Sequence, residues 1–147
     1  MVALDLQDAY FQSPILQAYC RYLRFKVGQE HFQFTVLPLG LTSAPRVFMK
    51  VMAVVAAHLR RLEFQSFLIP TEWLLKAGSA HIGANHLQTT ADLLHSLGFT
   101  IHVPKSHWTP SQMLPFIRAI LDTVQFHAYP PEQRVQNIRA MIPRFQP

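Results

Sequence analysis

The chain has 147 residues, of which 50% are hydrophobic and only 14% are charged. This balance excludes an intrinsically disordered chain and predicts one domain that buries a substantial core. Thirteen lysines and arginines against eight aspartates and glutamates give a formal net charge of +5, which favours an anionic partner, nucleic acid first.

The first third of the sequence predicts a strand followed by a hairpin. Residues 2–6 are apolar apart from Asp5, as is typical of a buried strand that ends on a carboxylate. Residues 22–27 and 31–37 alternate between apolar and polar positions around a turn that contains Gly28. Two such runs joined by a short glycine-containing turn predict a β-hairpin.

A helix is predicted next. Ser43 is its expected N-cap, Pro45 occupies its first turn, and Arg60 and Arg61 stand in its last turn, where cations are favoured. The apolar residues at helical spacing, which we expect to be buried, are Val47, Val51, Val54, Val55 and Leu59.

A second hairpin and a second helix follow. Residues 64–69 and 73–76 read as two strands separated by Pro70-Thr71-Glu72. The helix is expected over residues 80–97, with Ser79 as its N-cap and Gly98 as its stop signal. Its predicted buried stripe is Leu87, Ala91, Leu94 and Leu97.

The last part of the chain predicts a strand over residues 99–103, a hairpin of residues 116–121 and 124–127, and a helix over residues 132–142 that Pro143 closes. Asp122-Thr123 is the expected turn of that hairpin. Helices on one face of a mostly antiparallel sheet define an α+β domain.

Asp5 is the first candidate for chemistry, because a carboxylate at the end of a buried strand is costly unless it is paired or binds a metal. Two strand-borne carboxylates that hold divalent ions are a recurrent solution in phosphoryl-transfer enzymes. The turn of the second hairpin, with Glu72, holds the only candidate for the second carboxylate. The simpler interpretation is that Asp5 lies unpaired and solvated at the end of a sheet.

Several segments resemble motifs of reverse transcriptases, in the family's order. Residues 4–11 (LDLQDAYF) are similar to motif A, residues 37–48 (LPLGLTSAPRVF) to motif B, residues 97–106 to motif D and residues 116–123 to motif E. The Leu-Arg-Phe strand, the helix end at residues 58–61 and the Trp-Leu-Leu-Lys segment at residues 73–76 most resemble retrotransposons of the DIRS type.

This resemblance implies a polymerase palm over residues 1–128, the start of a thumb or connection helix over residues 129–147, and an ancestral RNA-directed DNA polymerase linked to a ribonuclease H. It also implies Mg²⁺ as the cofactor and RNA or an RNA/DNA hybrid as the partner. Because the chain starts at motif A, we expect the fingers to be missing and a sheet edge to be uncovered.

The resemblance assigns roles to individual positions. Asp5 would bind metal, with help from the Leu6 carbonyl, and Lys105 would lie near the leaving pyrophosphate. Asp8 and Ala9 would approach the triphosphate, Tyr10 would exclude a ribose 2′-hydroxyl, and Leu39 and Gly40 would line the nucleotide and template base. If no nucleotide binds, Tyr10 is instead a core aromatic residue, and Lys105 with His102 binds phosphate weakly.

Two motifs depart from the family. Motif E has Arg118 where a glycine is usual, so we expect its turn to be altered. The departure of motif C is the decisive one. Motif C is an aromatic residue, any residue and two aspartates, and these positions are Ile69, Pro70, Thr71 and Glu72 here. A neutral hydroxyl cannot replace a carboxylate on Mg²⁺, which prefers hard anionic oxygen. The sequence therefore predicts a domain without polymerase activity and without a bound metal.

Two alternatives stay open: residual polymerase activity through Asp5 and Glu72 with Mn²⁺, and a non-catalytic module that binds RNA or a protein. The single cysteine, Cys20, excludes an internal disulfide and a cysteine-built metal site, and indicates a reducing, intracellular compartment without distinguishing nucleus from cytoplasm. No apolar stretch approaches the roughly 20 residues that a membrane span requires, so we expect no membrane partner.

Overall fold

The structure is a computed structural model that describes residues 1–141 of the chain. Its strands and helices, in chain order, are β1 (Val2–Asp5), α1 (Gln17–Cys20), β2 (Arg24–Val27), β3 (Glu30–Gln33), α2 (Ala44–Arg61), β4 (Gln65–Ile69), β5 (Glu72–Lys76), α3 (Ala80–Ser96), β6 (Met113–Phe116), β7 (Ala119–Asp122), β8 (His127–Tyr129) and α4 (Glu132–Met141). Short 3-10 turns cover Ala9–Gln12 and Val103–Lys105. The predicted α+β class is confirmed.

The central sheet is antiparallel with the strand order β1-β5-β4. One face packs against α2 and α3, and the side chains that β1 and β5 direct there are buried: Val2, Leu4, Trp73 and Leu75. The opposite face packs on β6, where Ala3 and Leu74 join Leu114 and Phe116 in a smaller cluster. Strands buried on both faces need apolar residues at successive positions, which explains the runs in β1 and β5.

Two further sheets complete the fold. The three-stranded sheet β6-β7-β8 lies against the central sheet on the face that the helices leave open. The hairpin of β2 and β3 forms a separate two-stranded sheet, and every residue of its two strands is exposed.

Most predicted elements of the first hundred residues are present. The strand at the N-terminus, both hairpins and both long helices occur near their expected positions. The Ser79 hydroxyl oxygen accepts a hydrogen bond from the Ile82 N–H (3.2 Å), as expected of an N-cap. Ser43 also occupies the N-cap position of its helix, although its side chain makes no capping bond.

The predicted buried face of α2 is partly wrong. Val55 and Leu59 are buried as expected, but Val47, Val51 and Val54 are exposed. The residues that face the core are Ala44, Phe48, Met52, Val55, Ala56 and Leu59. The Phe48 ring lies 5.1 Å from Tyr10 and 6.1 Å from Phe99, measured between centroids, and a large aromatic side chain buries more apolar area than a valine.

The predicted burial of Leu97 is also wrong, whereas Leu87, Ala91 and Leu94 are buried. Leu97 is the C-cap of α3, beyond the last helical turn, and half of its surface is exposed.

The predicted strand over residues 99–103 is absent. Phe99 and Ile101 are buried, but this segment makes only an isolated bridge between Ile101 and Leu6. Pro104 lies in the 3-10 turn that follows, and because proline has no N–H it cannot extend a ladder.

The predicted last hairpin is misplaced. Its turn falls at Ile117 and Arg118, between β6 and β7, and both residues have left-handed φ angles of 49° and 61°. A turn built without glycine or asparagine carries no turn signal in the sequence. The expected turn at Asp122 does exist, but it connects β7 to β8, with the Asp122 carboxylate accepting hydrogen bonds from the N–H groups of Val124 (2.8 Å) and Gln125 (3.1 Å).

The C-terminal helix is confirmed over Glu132–Met141, whereas Ile142 and Pro143 lie outside the described residues. The boundary predicted after residue 128 falls inside β8. No helix within residues 1–141 has both the length and the apolar content that crossing a bilayer requires.

Candidate functional site

The central sheet brings two carboxylates together. Antiparallel pairing of β1 with β5 places Asp5 directly opposite Glu72. Residues directly opposite each other share one face of a sheet, so both side chains project toward β6 and β7. Strand pairing therefore joins the two acidic residues that the sequence offered as candidates.

The two carboxylates line a cleft of about 210 Å³. Its other ionisable side chains are Lys105, His107 and Arg118, and backbone or apolar groups from β1 and β6 complete its walls. Acidic and basic groups thus share one small space, and the predicted catalytic residues Asp5, Glu72 and Lys105 lie together.

The environment of Asp5 raises the pKa of its carboxyl above the ordinary value of 3.8. Partial burial is the main cause, because burial disfavours the charged form, and the nearby Glu72 carboxylate acts in the same direction. The charges of Lys105 and His102 oppose this shift and do not cancel it.

Backbone contacts fix the end of β1. The Asp5 N–H donates to the Ser106 hydroxyl (3.0 Å), and the Asp5 carbonyl accepts from the His102 N–H (2.7 Å). The Ser106 hydroxyl in turn donates to the His102 carbonyl (2.9 Å). The segment that follows α3 therefore clamps Asp5 from the side away from β5 and brings Lys105 into the cleft.

Glu72 is engaged by the neighbouring sheet. Its Oε2 accepts a hydrogen bond from the Ile117 N–H at 3.3 Å, in the turn between β6 and β7. Arg118, the next residue of this turn, stands where motif E of the resembled family has a glycine. One of the two acidic side chains is thus tied to the turn that closes the cleft.

Thr71 contributes a backbone contact to this region. Its carbonyl accepts a hydrogen bond from the Leu6 N–H (2.9 Å), which holds the turn between β4 and β5 against the end of β1. Within residues 1–141 no group of three or more histidine, cysteine, aspartate or glutamate side chains is arranged to hold a metal ion.

The positions assigned to the nucleotide by resemblance do not line this cleft. Asp8 is exposed with a left-handed φ of 46°, Ala9 is buried, and the Tyr10 ring packs on Phe48. Leu39 and Gly40 are exposed, and Gly40 has a φ of 86°. The packing of Tyr10 fits its interpretation as a core aromatic residue, whereas the roles of these positions with a nucleotide stay predictions.

Two cleft residues were not identified as site residues from the sequence. His107 pairs through its backbone with Ala3, its N–H donating at 2.7 Å and its carbonyl accepting at 3.2 Å. The sequence signal that could have indicated His107 is its position two residues after the predicted site residue Lys105. Arg118 was noted only as a departure from motif E, because the misplaced hairpin hid its position at a turn.

The chain is similar to known proteins. Residues 1–117 match the model of the family described as reverse transcriptase (RNA-dependent DNA polymerase). Two similar relatives are Gag-Pro-Pol polyproteins. That of human T-cell leukemia virus 2 is 29% identical over 75% of this chain, and that of bovine leukemia virus is 29% identical over 80% of it.

These relatives are far longer, since the matched regions span only 8% and 9% of their lengths. Among solved structures, a foamy viral protease-reverse transcriptase in complex with double-stranded DNA superimposes with a TM-score of 0.83 and 13% identity, covering 94% of this chain and 23% of that one. The foamy viral protease-reverse transcriptase in complex with an RNA/DNA hybrid superimposes with a TM-score of 0.82 and 15% identity, and the match covers 94% of this chain and 18% of that one. At these identities the structures establish a shared fold.

Proposed function

Since the chain belongs to the reverse transcriptase family, we propose that it is a retroelement-derived palm domain that no longer catalyses nucleotide addition. The observation that carries this proposal is the acidic partner of Asp5. Among the residues that the structure describes, the one other carboxylate that lines the cleft is that of Glu72, which accepts a hydrogen bond from the Ile117 N–H, and the neighbouring Thr71 is neutral. The kinship with DIRS-type elements and the ancestral ribonuclease H belong to the same proposal.

The donor set does not fit the pair of divalent ions on which reverse transcriptases rely. Two Mg²⁺ ions need several anionic oxygens, and the cleft offers two carboxylates of which one is engaged. Lys105 and Arg118 add positive charge to the same space, which opposes the binding of a cation. We therefore derive no catalytic step through a metal.

Primer extension on an RNA template with Mg²⁺ or Mn²⁺ tests the proposal. We expect no extension by the chain and none by Asp5→Asn. Extension that Asp5→Asn abolishes would contradict the proposal and favour the alternative of residual polymerase activity through Asp5 and Glu72.

A metal titration gives a second readout that does not depend on activity. We expect calorimetry with Mn²⁺ to give the same weak signal for the chain and for Asp5→Asn. The double variant Thr71→Asp/Glu72→Asp should bind Mn²⁺ more tightly, because it restores the missing carboxylate at position 71. Equal binding by this variant and the natural chain would show that the carboxylate missing at position 71 does not limit metal binding, and would contradict the proposal.

A second candidate function is non-catalytic nucleic-acid binding inside the cell. The net charge of +5 supports it, and so do the similar solved proteins, which are complexes with double-stranded DNA and an RNA/DNA hybrid. We expect affinity for RNA that falls steeply with salt, because phosphate contacts release counterions. Arg60→Ala/Arg61→Ala at the end of α2 should weaken this affinity, and salt-insensitive or absent binding of RNA would argue against this candidate function.

A further inference from the structure

We propose that Glu72 acts as a latch, whose carboxylate holds the turn between β6 and β7 against the cleft and so controls access to Asp5. This inference rests on the proposed function, because a carboxylate committed to a metal would not be free to hold the turn. The latch comprises Glu72 on β5 and the turn residues Ile117 and Arg118, and both turn residues line the cleft together with Asp5 and Lys105.

The Ile117 N–H lies beyond the ladder of its own hairpin. The pairing of β6 with β7 ends at Phe116 and Ala119, so Ile117 and Arg118 form a two-residue loop. The Glu72 Oε2 accepts a hydrogen bond from the Ile117 N–H at 3.3 Å, between residues that are 45 positions apart in the sequence. A carboxylate acceptor makes such a bond charge-assisted, and therefore stronger than a bond between neutral groups. This contact ties the loop of the outer sheet to the central sheet.

The conformation of the loop calls for support from outside the hairpin. Ile117 and Arg118 have left-handed φ angles of 49° and 61°, which two-residue hairpins favour but which L-residues other than glycine and asparagine adopt at a cost. Ile117 is also β-branched, which makes it one of the residues least suited to this region. A strained loop persists only where the surrounding structure holds it. Glu72 supplies such a contact.

Electrostatics directs Glu72 toward the loop and away from Asp5. Strand pairing places the two carboxylates opposite each other, and burial first, then the charge of Glu72, raises the pKa of the Asp5 carboxyl. Like charges on directly opposite residues repel. The two carboxylates therefore have different partners: the charge of Lys105 acts on Asp5, whereas the Ile117 N–H donates to Glu72.

The latch depends on the length of the Glu72 side chain. At 3.3 Å the contact already lies at the long end of hydrogen-bond distances. An aspartate is shorter by one methylene, which removes roughly 1.5 Å of reach, so its carboxylate could not bond to the Ile117 N–H from the same backbone position. Glutamate, where the resembled motif C has an aspartate, is thus the acidic residue that this contact requires.

Release of the latch would change the shape of the cleft. Arg118 lines the cleft beside Lys105, and the bond from Ile117 to Glu72 fixes the backbone that carries the Arg118 side chain. The cleft measures only about 210 Å³, so movement of one of its walls changes its volume markedly. The contact of Glu72 with the turn therefore keeps the cleft in its narrow form and restricts access to Asp5.

Amide hydrogen exchange of the full chain, followed residue by residue with NMR, tests the latch. We expect Glu72→Ala to speed exchange of the Ile117 amide by about tenfold or more, because a hydrogen bond to a charged group is lost. Glu72→Asp should speed it equally, since its carboxylate does not reach, whereas Glu72→Gln keeps the length and should retain part of the protection. Glu30→Ala, at an exposed glutamate of β3 in a separate sheet, is the matched control and should leave this exchange unchanged.

Two further measurements distinguish local opening from unfolding. Exchange of the Leu87 and Leu94 amides, in the buried stripe of α3, reports on global opening and should not change in any Glu72 variant. Relaxation of the Leu4 and Asp5 amides by a neutral dissolved nitroxide reports on access to the cleft that both residues line. This relaxation should increase in Glu72→Ala and Glu72→Asp, and less in Glu72→Gln.

The outcomes separate the latch from the proposed function. If Glu72→Asp protects the Ile117 amide as well as glutamate does, charge matters and reach does not, and the latch is refuted while the loss of catalysis stands. Unchanged exchange in all three Glu72 variants refutes it as well. If millimolar Mg²⁺ speeds this exchange in the natural chain but not in Glu72→Gln, Glu72 leaves the turn for a metal, which supports the latch and contradicts the proposed function.

Discussion

The turn between β6 and β7 allows a direct test of how this fold is stabilised. Ile117 and Arg118 have φ angles of 49° and 61°, and neither is a residue that adopts this conformation readily. Arg118 is exposed and Ile117 is 41% exposed, so replacing them removes little packing. We therefore expect Ile117→Asn/Arg118→Gly, the residue pair that two-residue hairpins prefer, to stabilise the protein.

The expected gain in stability is the difference between the strain that is relieved and the conformational entropy that glycine loses on folding. A left-handed conformation costs an L-residue about 1–2 kcal/mol, whereas glycine loses about 0.5–1 kcal/mol more conformational entropy on folding. Arg118→Gly should thus stabilise by about 0.5–1 kcal/mol, and Ile117→Asn should add a similar amount because asparagine tolerates this region. The double variant should gain about 1.5 kcal/mol, which is a rise in Tm of roughly 4 °C for a chain of this size.

Urea and thermal unfolding followed by circular dichroism measure this gain. Val124→Gly is the matched control, because Val124 is 62% exposed in the next turn and its φ is not positive. Glycine should destabilise the protein there, since it relieves no strain and adds unfolded-state entropy. A double variant with unchanged or lower stability would refute the view that Ile117 and Arg118 are held in a costly conformation.

Three further changes test the core, a helix end and the cleft. Phe48→Ala should lower the free energy of unfolding by about 3–5 kcal/mol, whereas Val54→Lys on the exposed side of the same helix should change it by less than about 0.5 kcal/mol; equal losses in urea titrations would contradict the assigned buried face. Ser79→Ala should lower the free energy of unfolding by about 1 kcal/mol because the N-cap hydrogen bond is lost, whereas Ser79→Asp should keep most of that stability because aspartate can also cap the helix. An unchanged midpoint of urea unfolding for both variants would show that this cap contributes nothing. Because the pKa of Asp5 is raised in the folded state, the folded protein binds more protons than the unfolded chain above pH 3.8, so this carboxyl lowers stability as pH rises through that region. Asp5→Asn should therefore stabilise the protein at pH 7 and lose that advantage below about pH 3.8, and a benefit that grows on acidification would contradict the raised pKa.

Local sequence signals were sufficient for much of this fold. The glycine-containing turn at Gly28 and the cap at Ser79 each act over a few residues, and both elements occur as predicted. The pairing of Asp5 with Glu72 was also accessible, because the motif resemblance placed both carboxylates at strand ends that had to meet.

The errors arise where tertiary contacts decide. Periodicity cannot choose between the valines of α2 and the neighbouring positions Phe48 and Met52, because both sets recur at helical spacing and only the shape of the core selects between them. The turn at Ile117 and Arg118 is imposed by the pairing of β6 with β7 on residues that do not favour it. Because the turn was predicted at Asp122-Thr123 instead, the sequence analysis did not place Arg118 at a turn that lines the cleft.

The pairing of β1 with β5 also constrains how the chain reaches its native state. β1 pairs with no other strand in the central sheet, and its partner lies roughly 70 residues further along the sequence. During synthesis at about 5–20 residues per second, β1 waits several seconds for β5 to emerge, while the β2–β3 hairpin and α2 have already formed locally. Closing so long a loop costs entropy before any contact compensates for it. Asp5 and Glu72 should therefore meet late, and the contacts of β1 with Ser106 and His107 should form later still, so that the cleft is a late product of folding and not a nucleus for it.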